Sequence, residues 1–142
     1  MRPLLPYQKL LSSARSLTNK YEQLKSRFSD FADHCGELSK QGLISDIAIE
    51  KHLDQGHFDA LFVGRRFRFA LTLRLGKEGN STGVVVCSEV LPKDVKSVYE
   101  FTIAENGDTN VKPPDSTGNI GCDMRQGAWY LLIHGLHEGL AK

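Results

Sequence analysis

Cysteine is scarce in this chain. The 142 residues include three, Cys35, Cys87 and Cys122, far apart in the sequence. No C-x-x-C pair occurs, so a reduced, intracellular and cytoplasmic protein is expected. An excess of charge of one sign is also missing. Lys and Arg total 18 against 17 Asp and Glu. That balance disfavours a protein that coats nucleic acid through its overall charge. Long apolar runs are absent, and nothing approaches the roughly 20 residues that a membrane span requires. The opening Met-Arg-Pro-Leu-Leu-Pro gives way to polar residues too soon to read as a signal peptide. Nucleophile elbows, paired-carboxylate motifs and dinucleotide fingerprints are lacking too, so no catalytic residue and no cofactor is assigned. The stretch Gly76–Gly83 has glycines but no Lys-Ser ending and no helix after it. It reads as a flexible hairpin loop rather than a phosphate cradle. No internal repeat and no recognisable family motif stands out.

The strongest pattern lies near the start. Tyr7, Leu10, Ala14, Leu17, Tyr21, Leu24, Phe28, Phe31, Cys35 and Leu38 are separated by alternating steps of three and four. This is a heptad seam on one helix from about Tyr7 to Lys40, following Pro6 and ending before Gly42. Such a helix is about 50 Å long. A compact chain of this size is somewhat under 40 Å across. The helix must therefore overhang, bend, or break near Gly36. Flanking positions hold Lys20, Lys25, Arg27 and His34 but no acid. A parallel dimer would oppose like charges, so the seam is expected to pack mainly within its own domain. Dimerisation through the overhang stays open.

After the helix, Ser45 or Asp46 and Gly56 look like the caps of a short second helix reaching Leu53. From His57 the apolar period becomes two. Strands are predicted over 57–63, 66–75, 84–91, 98–103 and, after the Asn106-Gly107 turn signal, 109–112. Short connections imply an antiparallel meander of four or five strands within 57–112. Asp123 and Gln126 resemble a capping box for a last helix over 123–141. Its apolar residues lie most of the way round, which predicts burial against the sheet and the long helix. The expected fold is α+β, in a single domain spanning 1–142.

Two groups of residues attract a functional reading. Arg65, Arg66, Arg68 and Arg74 lie on or beside one face of the 66–75 strand. Arginine forks of this kind can bind an acidic protein partner or phosphates. Glu89 and Glu100, on neighbouring strands, can instead hold them as ordinary cross-strand pairs. Phe67 and Phe69 belong to the opposite face, so a base-stacking surface for nucleic acid is disfavoured. The second group is Tyr130, His134 and His137, on one ridge of the last helix. Two histidines three apart can ligate a metal, with Cys122, Asp123, His52 or His57 as candidate third ligands. The plainer reading is surface histidines favoured near a helix C-terminus. No metal is assigned. The leading expectation is a non-enzymatic protein-binding or adaptor domain, with a protein partner and a homodimer as an option. The alternative is a small-molecule- or metal-binding protein, or an enzyme, built around Tyr130, His134 and His137.

Overall fold

The computed structural model describes residues 5–76 and 81–142. Pro3 and the centre of the glycine loop, 77–80, lie outside them. Helix α1 runs unbroken from Tyr7 to Lys40. Five strands follow: β1 (Ile47–His52), β2 (His57–Phe62), β3 (Arg65–Leu75), β4 (Ser81–Val90) and β5 (Val95–Ile103). Helix α2, Arg125–Leu140, closes the chain. The sheet is a fully antiparallel meander in the order β1-β2-β3-β4-β5. The architecture is α+β, as the periodicities imply.

Both helices pack on one face of this sheet. Leu24, Phe28, Phe31, Cys35 and Leu38 of α1 and Ala128, Leu131, Leu132 and Leu136 of α2 are buried. They share one apolar cluster with Phe58, Phe67, Phe69 and Phe101 from alternate strand positions. Phe31 sits at its centre, with ring centroids within 6.0 Å of Phe28, Phe58, Phe69 and Phe101. The alternation that feeds this face sends the intervening residues to the other side of the sheet.

The seam of α1 divides into two parts. From Leu24 onward its apolar residues are buried, but Tyr7 is 71% exposed and Leu10 51%. The helix therefore overhangs its domain rather than breaking at Gly36. Its flanking basic residues turn toward the same chain. Lys20 reaches the Ser81 carbonyl, Arg27 the Glu105 carbonyl, and His34 the Asp123 carbonyl.

Three expectations need correction. Residues 47–52 form a strand, not a helix. Ile47 and Ile49, both β-branched, pair with Phe62 and Ala60. Asp46 (φ 55°) is a left-handed turn residue rather than a helix cap, and Gly56 (φ 81°) ends only a single 3₁₀ turn, Leu53–Gln55, between the first two strands. A fifth strand thus exists, but at 47–52. The predicted strand at 109–112 is reduced to an isolated bridge between Ile103 and Thr109. There the Asn110 side chain accepts from the Thr102 amide, so the backbone ladder does not continue. Finally, Asp123 does not cap α2. Met124 is the N-cap, without a side-chain bond, while Asp123 faces Arg27 across 3.8 Å.

Candidate functional site

The arginines of β3 separate onto two faces. Arg65 shares the helix side of the sheet with Phe67, whose ring it covers at 5.4 Å. It makes a two-pronged contact with Glu89, both bonds 2.7 Å, and donates to the Gly139 carbonyl near the end of α2 at 3.3 Å. The grouping of all four arginines on one surface is therefore corrected. Arg66, Arg68 and Arg74 do share the open face. Arg66 donates to Glu50 at 2.9 Å and to Asp59 at 2.7 Å. Arg68 holds Asp59 through two bonds, 2.9 and 3.2 Å. Arg74 reaches Glu100 at 3.4 Å on the exposed rim.

Asp59 is the hub of this network. It is fully buried although it lies on the face away from the helices, because the arginine side chains cover it. Burial disfavours its charged form, yet hydrogen bonds from Arg68 and Arg66 outweigh that and hold its pKa below the ordinary carboxylate range. Arg66 likewise lowers Glu50, and Arg65 lowers Glu89, chiefly by hydrogen bonding. The expected pairs with Glu89 and Glu100 are present. Each of the four guanidinium groups already has a carboxylate, which leaves an acidic partner little to recognise there.

The histidine ridge of α2 is real but shallow. Tyr130, Ile133, His134 and His137 line a hollow of about 230 Å³. That is below the roughly 300–1,000 Å³ of small-molecule sites. The His134 ring meets Tyr99 edge-on at 4.7 Å and stacks on Tyr130 at 5.9 Å. Its Nε2 lies 3.7 Å from Glu138. Burial raises the Tyr99 hydroxyl above its usual value. None of the proposed third ligands comes here. Cys122 is buried beside the Arg27 carbonyl, and Asp123 faces Arg27.

His52 and His57 are on the other face of the sheet. They are direct partners across the β1–β2 hairpin, with ring centroids 5.2 Å apart. His57 Nε2 is 4.0 Å from Asp59 Oδ1. Donor atoms of His52, His57 and Asp59 all lie within 4.8 Å of one another. It is the one such grouping of three metal-capable side chains among the described residues. The sequence holds its signal, a His-x₄-His spacing with Gly56 before the second histidine. Reading 47–53 as helix hides the hairpin that brings the two rings together.

Comparison with known proteins adds no relative. No protein-family profile, curated protein or solved structure matches this chain.

All three cysteines are free and buried. Burial pushes the Cys87 and Cys122 thiols up to about 12 and Cys35 well above its usual value. They are packing residues, not nucleophiles. Among the described residues, no helix is long and apolar enough to cross a membrane.

Proposed function

We propose that this chain is a non-enzymatic adaptor that binds an acidic partner protein through the overhanging turns of α1. One observation carries the reading. The apolar stripe that packs the core continues at the same spacing through Tyr7, Leu10 and Ala14, where it is exposed. Steps of three and four suit a partner helix with its own apolar seam. Charge selects the sign of that partner. Between Tyr7 and Thr18 the helix has Lys9 and Arg15 and no acid. Its first turn has no acidic residue, and its N-cap, Pro6, makes no side-chain bond. The positive end of the helix dipole is thus uncompensated, and an acidic helix would complement it. A second copy of the chain would bring Lys9 and Arg15 against basic residues. The free thiols support a reducing, cytoplasmic setting.

The test is fluorescence anisotropy with a labelled helical peptide that has leucine at its seam and glutamate on the flanks. The expected result is saturable binding that weakens with salt, is lost in Leu10→Ser, and is absent for a lysine-flanked control. Equal binding of both peptides, no binding, uptake by anionic vesicles instead, or a dimer sealed by Leu10 would overturn the reading.

A further inference from the structure

We infer that His52, His57 and Asp59 form a binding site for a divalent first-row transition metal, with Zn²⁺ as the representative ion, on the open face of the sheet. The site is separate from the proposed docking helix and does not depend on it. The β1–β2 hairpin sets His52 directly opposite His57, and β2 places Asp59 two residues on, hence on the same face. Ligands of a tetrahedral zinc ion at 2.0–2.1 Å stand about 3.3 Å apart. These donors are already within 4.8 Å. Closing the gap takes a rotation of His52, whose side chain is 41% exposed and would exchange its 3.7 Å approach to Glu50 for the metal. His57 and Asp59 are the fixed part, with side chains 12% and 1% exposed.

The bonding capacity of Asp59 fits this role. Its Oδ2 accepts from both Arg66 and Arg68, but Oδ1 accepts one bond, from Arg68 Nε at 2.9 Å. A carboxylate oxygen offers two lone pairs, so Oδ1 keeps one on the side of His57. Arg66 and Arg68 thereby orient the ligand as supporting hydrogen bonds commonly do around metals. Their charge is formally balanced by Asp59 and Glu50, which tempers affinity rather than forbidding binding. Two imidazoles and one carboxylate select zinc and its neighbours over calcium or magnesium, which prefer all-oxygen sets. Solvent on the open face leaves a fourth position for water or an outside ligand, as in accessible rather than closed zinc sites.

The experiment is calorimetric titration of the tag-free, chelator-stripped protein with Zn²⁺ near pH 7.5. Co²⁺ absorption reports the ligand geometry. One Zn²⁺ per chain is expected, with a dissociation constant in the micromolar range or tighter. His52→Ala and His57→Ala should each weaken binding at least tenfold, while a His134→Ala/His137→Ala double variant retains it. His52 is only half-buried at the hairpin end, so its variant tests the site even if Asp59→Asn unfolds the chain. Absence of binding in the wild type, binding unchanged by His52→Ala and His57→Ala, or loss in the His134/His137 variant would overturn the inference.

Discussion

Asp59 shows how much one residue can decide. Removing it leaves Arg66 and Arg68 facing each other without the carboxylate between them. Breaking a buried pair costs about 3–5 kcal/mol. Because both arginines are partly exposed, Asp59→Ala is expected to lie near the lower end, about 3 kcal/mol, by urea denaturation. The acid response follows from the same bonds. Asp59, Glu50 and Glu89 are all more acidic folded than unfolded. Their contribution is complete above the unfolded values near 4 and is lost as pH falls through the lower folded values. Stability should change little on this account between pH 7 and 5 and drop below about pH 4, with Asp59→Asn flattening the drop. Val63 offers the opposite case. It has φ 45° in the two-residue turn before β3, beside Gly64 at 79°. A β-branched residue is strained there, and Asn-Gly is the favoured pair for such a turn. Val63→Asn is expected to stabilise the protein by about 1 kcal/mol. At this scale the sequence was legible where alternation fixed a neighbour, as for Arg74 with Glu100. It was silent on Asp59, because nothing in a polar strand position says that arginines will roof it over.

Among the elements, α1 was the most legible, since thirty-four residues of unbroken seam leave little choice of structure. Its boundaries agree with the pattern, and the basic flanks find partners within the same chain. The hairpin at 52–57 was not legible. Serine, aspartate and glycine serve helix caps and turns alike, and tertiary pairing with β2 made the choice. Two outcomes follow at this level. Amide hydrogen exchange should be fast from Tyr7 to about Ser16 and slow from Leu24 to Leu38, where the helix is buried. In α2, glycine is needed for contact rather than for flexibility. A Cβ at Gly127 would run into the Gly121 carbonyl oxygen, and one at Gly139 into the Phe67 ring. Glycine to alanine in a helix interior normally gains up to about 1 kcal/mol. Gly127→Ala should instead lower the melting temperature, because its obstacle is backbone.

Across the whole molecule, the sheet has one covered face and one open face, and the cover comes from the two ends of the chain. Trp129 Nε1 donates to the His34 carbonyl at 2.7 Å and ties α2 to α1. A chain ending before Arg125 should bind a hydrophobic dye and aggregate, since the apolar face of the sheet would lose the cover that α2 gives it. The order of synthesis gives this arrangement a further meaning. The meander pairs each strand with its predecessor and can assemble as it leaves the ribosome, with α1 already waiting. The lid contributed by α2 does not yet exist. At roughly 5–20 residues per second, the stretch from Ala104 through Leu140 takes a few seconds to appear. For that interval the nascent protein is a sheet with an uncovered apolar flank, and that is when a chaperone would have something to hold.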